Sequence, residues 1–92
     1  MSLIRPVVFP KRREGIACQV VNGEAVLLDI ERGEYFSLNS VGTRIWELCD
    51  GTRSVTEIVS VIGVEFDVTE DVVTADAQEI LDELAKEKLV EA

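Results

Sequence analysis

The sequence predicts an α+β domain, a three-stranded antiparallel β-meander followed by three α-helices. Three observations carry this prediction. Apolar residues alternate through residues 16–38, interrupted by two tight turn signals, Asn22-Gly23 and Glu31-Arg32-Gly33. Beyond residue 40 the apolar period lengthens from two to about 3.6 residues, the change from strand to helix. That second half also carries capping residues and stop glycines where three helices should begin and end.

The strands come first. Ile16, Cys18 and Val20 alternate with Ala17 and Gln19. Asn22-Gly23 follows, and this pair favours a two-residue hairpin because both turn positions need positive φ. The return strand covers 25–30, with Val26, Leu28 and Ile30 on one face. A second turn leads to a third strand, Glu34–Leu38, with Phe36 and Leu38 on one face and Tyr35 and Ser37 on the other. In this order the middle strand is paired on both sides. The third keeps a free edge.

The helices follow. Asn39 or Ser40 caps the first, which extends to about Cys49 with Val41, Ile45, Leu48 and Cys49 on one stripe. Trp46, one position off that stripe, is expected to pack partly buried. Gly51 stops this helix. Ser54-Val55-Thr56-Glu57 fits a capping box, in which hydroxyl and carboxylate each accept from an orphan backbone N–H. Val55, Ile58, Val59 and Ile62 form the inner face of the second helix. Gly63 should end it, leaving 64–68 as a connector with Phe66 buried. Thr69 caps the third helix, with Glu70 and Asp71 against the positive end of its dipole. Val73, Ala77, Ile80, Leu81 and Leu84 keep the helical period, and Leu89-Val90 should fold back onto the core.

Ninety-two residues, 47% of them hydrophobic, suit one domain with one core. Residues 1–13, with Pro6, Pro10 and Lys11-Arg12-Arg13, read as an extended basic arm, and residues 14–92 as the domain proper. The chain has no histidine, which removes the commonest general base and the commonest zinc ligand. Cys18 and Cys49 belong to no C-x-x-C pair and are expected to be small buried apolar residues. Asp82 and Glu83 are neighbours that point apart on a helix. No catalytic set, metal site or cofactor is therefore expected. The first residues lack the apolar core of a signal peptide and no run approaches a membrane span, so a cytoplasmic location is expected.

The net charge of −9 is uneven: residues 1–49 hold six basic and six acidic side chains, residues 50–92 three basic and twelve acidic. An acidic half repels phosphate backbones and anionic lipid, so nucleic acid and membrane are poor partners, and a basic or mixed-charge peptide or protein suits it better. Three strands with three helices is also the inventory of a winged helix-turn-helix domain, which reads DNA with a basic recognition helix. Here the second helix carries Glu57 and no lysine or arginine over 55–62, and the third is strongly acidic. The fold reading stands while the DNA reading fails on charge.

An ordered series of short motifs adds a resemblance. It runs from Leu27-Leu28-Asp29 through Gly33 with Tyr35, Leu38-Asn39, Ile45-Trp46 and Leu48-Cys49-Asp50-Gly51. It continues to Ile58, Asp76-Ala77, Ile80-Leu81, Leu84 and Leu89-Val90. Over roughly residues 16–91 this series resembles the PqqD-like family, the RiPP recognition element. Leu-Leu-Asp, Gly-x-Tyr and Ile-Trp lean toward stand-alone elements of lasso-type pathways, whereas Leu-Cys-Asp-Gly is typical of PqqD proper, from pyrroloquinoline quinone biosynthesis. Lys88 departs from the pattern, since the family often has glycine there.

The resemblance implies a non-catalytic peptide chaperone that captures the leader segment of a ribosomally made precursor peptide. The leader would add as a strand to the edge formed by Glu34, Tyr35, Phe36, Ser37 and Leu38. The third helix would wall the groove through Val73, Asp76, Ala77, Ile80 and Leu84, with Asp76 placed to pair with a leader lysine or arginine. The implied partners are the precursor peptide and a modifying enzyme such as a radical SAM enzyme, protease or cyclase. Taken singly, Phe36, Leu38, Ile80, Leu81 and Leu84 read as core, and Tyr35 as an exposed aromatic covering the sheet. The alternative is a self-associating or docking subunit of a larger biosynthetic complex, so the chain is expected as a monomer or weak homodimer.

Overall fold

In the computed structural model, which describes residues 8–67 and 69–91 with the Glu70 side chain excepted, two antiparallel ribbons flank three helices. The elements are β1 (Lys11–Arg12), β2 (Ile16–Val21), β3 (Glu24–Asp29), β4 (Glu34–Leu38), α1 (Ser40–Leu48), α2 (Val55–Phe66), α3 (Glu70–Lys86) and β5 (Val90–Glu91). β2, β3 and β4 form the meander, and β1 pairs with β5. The expectations for residues 1–7, Val68 and the Glu70 side chain fall outside the described residues.

The hairpin forms as its turn residues dictate. Asn22 and Gly23 take φ of 54° and 78°, the left-handed values that a two-residue turn demands. Ala17 then faces Leu28, and Leu28 faces Tyr35; one register step away, Cys18 faces Leu27 and Leu27 faces Phe36. Because partners across a ladder share a face, Val26, Leu28 and Tyr35 lie on the outer side, and Ala25, Leu27 and Phe36 on the inner. Ala25 and Leu27 are fully buried. Ile30 leaves the strand for the turn and is exposed.

α1 packs against β3 and β4, and every residue of β2 after Ile16 is exposed. This corrects one expectation: Cys49 is buried but Cys18 is exposed. Burial pushes the Cys49 thiol up to about 12, which leaves it protonated and inert at neutral pH.

The helices pack Ile45, Leu48, Ile58, Ile62 and Leu81 into one fully buried cluster with Leu27 and Leu89. Side chains of this kind contribute about 1.5–3 kcal/mol each on burial. Trp46 is buried more completely than expected, at 4% exposure. The Asn39 side chain accepts from the Gly42 amide, and Ser54 with Glu57 completes the capping box, at 3.2 Å to the Glu57 amide and 3.0 Å from the Ser54 amide. Thr69 occupies the N-cap of α3 without a side-chain cap bond. A second correction concerns α2, which passes Gly63 and ends at Asp67 in a left-handed C-cap. Ile58, Ile62 and half-buried Phe66 continue one face across the glycine. Their packing outweighs the roughly 1 kcal/mol that glycine costs inside a helix.

α3 ends in a paired cap: the Leu89 amide donates to Leu84 O at 2.8 Å and the Lys88 amide to Ala85 O at 3.0 Å. This is the Schellman arrangement, and it places Lys88 at φ 59°. The cap turns the chain so that Leu89 and Val90 are buried and β5 meets β1.

Residues 8–13 are woven into this end of the molecule. The Arg12 amide donates to Cys49 O, the Arg13 amide to Leu89 O, and the Gly51 and Val55 amides to Pro10 O and Val8 O. The Arg12 guanidinium donates to the carbonyls of Trp46 (2.9 Å) and Glu47 (2.7 Å) and lies 6.0 Å from the Trp46 ring centroid. A cation suits the negative end of α1.

Candidate functional site: a strand edge facing a helix

β4 is the last strand of the meander, paired with β3 on one side only. Its position is set by two small devices. The buried Thr43 hydroxyl of α1 accepts from the Ala25 amide at 2.8 Å, which locks the helix start to the sheet. At the other end the buried Asp29 carboxylate accepts from Arg13 (2.9 Å) and from the Arg32 amide (3.1 Å), which shapes the β3–β4 turn. Arg32 also pairs with Glu34 at 2.9 Å and donates to Glu87 O at 2.9 Å, so the start of β4 is tied to the end of α3.

Between β4 and α3 lies an open groove of about 530 Å³. One side is formed by Phe36, Ser37, Leu38, Asn39, Val41 and Gly42. The other is formed by Asp76, Glu79, Ile80, Glu83, Leu84 and Glu87, with Leu89 at the end. Phe36, Leu38, Val41 and Ile80 are half-buried, so the groove has an apolar floor that is only partly covered by the protein itself. Gly42 contributes by its size, since a Cβ there would sit 3.3 Å from both Asn39 Oδ1 and Leu38 Cβ.

The ten residues expected from the sequence divide into three groups. Phe36, Ser37, Leu38, Asp76, Ile80 and Leu84 line the groove. Glu34 and Tyr35 belong to the same strand beside it: Glu34 is held by Arg32, and Tyr35 points to the outer face with 72% of its surface exposed. Val73 and Ala77 are buried in the core and do not line the groove. The sequence reading missed Asn39, Val41, Gly42, Glu79, Glu83, Glu87 and Leu89 as lining residues. The signal for the three glutamates was present. They follow Asp76 at helical spacing, along the edge of the apolar stripe rather than on it.

Among the described residues no group of histidine, cysteine or acidic side chains is arranged to hold a metal ion, and no helix is long and apolar enough to cross a membrane. The groove itself presents the unpaired edge of β4 beside apolar side chains and four carboxylates.

These features define a class, a winged-helix-like α+β domain whose recessed site is a strand edge rather than a basic recognition helix. Residues 24–90 match the family described as Coenzyme PQQ synthesis protein D (PqqD), and the chain belongs to that family. Among solved structures it is similar to TbiB1 in complex with the TbiA(beta) leader peptide. That match has 34% identity and a TM-score of 0.78, and covers 89% of this chain and 95% of that one. A lasso peptide synthetase B1 complexed with its leader peptide shares the fold at 20% identity and a TM-score of 0.77, covering 91% of this chain and 99% of that one. The PqqD truncation of Methylobacterium extorquens PqqCD, a stand-alone RiPP recognition element, shares it at 22% identity and a TM-score of 0.79. There the coverage is 99% of this chain and 97% of that one. No curated protein matches the chain in sequence.

Proposed function

We propose that this chain is a non-catalytic peptide-binding module that captures the leader segment of a ribosomally made precursor peptide and presents it to a modifying enzyme. The observation that carries the reading is the unpaired edge of β4 opening onto the apolar groove beside α3. An extended peptide added there gains main-chain hydrogen bonds whatever its sequence, and alternate side chains drop into pockets that choose among sequences. Glu34, Tyr35, Phe36, Ser37 and Leu38 supply the strand, Ile80 and Leu84 the apolar wall, and Asp76 a charge. Val73 and Ala77 hold the wall from the core. Residues 14–92 are the peptide-binding unit and residues 1–13 the N-terminal arm, of which residues 8–13 brace the domain.

The similar proteins seen with leader peptides support this reading. The recipient in this reading is a modifying enzyme in the cytoplasm, such as a radical SAM enzyme, protease or cyclase. The acidic surface argues against nucleic acid as an alternative occupant.

The test is an amide NMR titration of the labelled protein with the leader segment of the precursor encoded beside its gene. Strand addition predicts shifts concentrated in β4 and in the groove face of α3. A folded protein with no shifts there at saturating peptide refutes capture at this edge.

A further inference from the structure

The groove wall carries more negative charge than strand addition requires. Asp76, Glu79, Glu83 and Glu87 stand at successive helical steps along the same face of α3, all lining the groove. Like charges three or four residues apart destabilise a helix, so this row opposes folding unless something offsets it. Among the described residues none of the four enters an ion pair, and Arg32 reaches only the backbone carbonyl of Glu87. Several carboxylates elsewhere do have cations: Asp29 has Arg13, Glu34 has Arg32, Glu47 and Glu65 have Arg44, and Asp50 has Arg53. Arg12 is spent on the carbonyls at the end of α1.

We infer that the groove is specific for a basic leader strand, whose lysine or arginine side chains pair with the acidic row of α3. The inference rests on the strand-capture reading above and names the chemistry of the captured strand. The spacing fits. Glu79 to Glu83 and Glu83 to Glu87 are each one i,i+4 step, about 6 Å along the helix axis. Side chains on one face of a strand repeat every second residue, about 6.7 Å. A strand lying along β4 with basic residues at alternate positions therefore brings each cation opposite a carboxylate. The aliphatic stems of lysine or arginine would cover Ile80 and Leu84 while their heads reach the rim, the behaviour expected of such side chains at a half-apolar surface. Charge also argues against a second copy of this chain as occupant. A second copy carries a net −9 and would bring Glu34 of its own β4 toward the same row.

The test measures fluorescence anisotropy of the labelled leader peptide against the wild-type chain and a Glu79→Gln/Glu83→Gln variant, at low and high sodium chloride. Charge pairing predicts that wild-type affinity falls about tenfold as salt rises, since partly exposed pairs are screened. The variant should bind about five- to tenfold more weakly at low salt and respond little to added salt. Its melting temperature should equal or exceed the wild type's, because like-charge repulsion has been removed. Equal affinity and equal salt response in the two proteins overturns the charge inference and leaves strand capture standing. A lower melting temperature overturns it too, by making the carboxylates structural. Absence of wild-type binding at both salt concentrations overturns strand capture and the charge inference together.

Discussion

Asp29 and Lys88 illustrate how much a single position can decide. Asp29 is fully buried, yet its oxygens accept from Arg13 and from the Arg32 amide, so its charge is matched and the turn into β4 is fixed. Lys88 is held in the left-handed region by the cap of α3. An L side chain costs about 1–2 kcal/mol in that region. Glycine would remove this strain while adding some freedom to the unfolded chain, worth about 0.4–1 kcal/mol in the other direction. Lys88→Gly is therefore expected to stabilise the protein by about 0.5–1 kcal/mol, raising Tm by a few degrees in a domain of this size. Thermal melts by circular dichroism check this, and an unchanged or lower Tm would mean that Lys88 contributes a contact beyond its backbone. The sequence pattern marked Lys88 as a departure from a common glycine, and the backbone supplies the reason.

Among the elements, β4 is the one on which the functional reading depends. Successive residues of an antiparallel strand direct their N–H groups to opposite sides. Tyr35 and Phe36 are adjacent, so proline at one removes a donor from the free edge, and proline at the other removes a bond to β3. The two substitutions should split: one variant stays folded and loses leader binding, the other loses stability. Urea denaturation and a binding titration on both variants read the two effects separately. Two folded variants with wild-type affinity would refute strand addition at β4. The three meander strands and the helix starts were legible in the sequence because turn and cap chemistry is local, as at Asn22-Gly23 and Ser54-x-x-Glu57, whereas β1 and β5, which pair across the whole length of the chain, were not. The end of α2 was not legible, because Gly63 is a local stop signal overridden by non-local packing of Ile62 and Phe66. The groove was legible in part. Periodicity identified the inward stripe of α3, but only the packed structure distinguishes Val73 and Ala77, which are core residues, from Ile80 and Leu84, which line the groove.

At the scale of the whole molecule the arm and the domain are not independent parts of the fold. The described part of the arm lies where the end of α1, the loop after it and β5 converge, and it satisfies backbone groups on all three. Pro10 is fully buried there. Removing residues 1–13 would expose or orphan those groups and withdraw Arg13 from the buried Asp29 carboxylate. Arg32, 3.6 Å from that carboxylate, is the remaining cation. Breaking a buried pair by removing one partner costs about 3–5 kcal/mol, and solvent access to Arg13 reduces that figure. A domain of this length has only about 5–14 kcal/mol of stability in total. Deletion of residues 1–13 should therefore move the urea midpoint sharply downward, by an amount equivalent to about 3 kcal/mol or more. If the midpoint stays where it is, the arm is an appendage and residues 14–92 fold unaided. If it falls as expected, the bracing reaches the binding groove through Asp29 and the β3–β4 turn, and the truncated chain should bind its leader more weakly even where it remains folded.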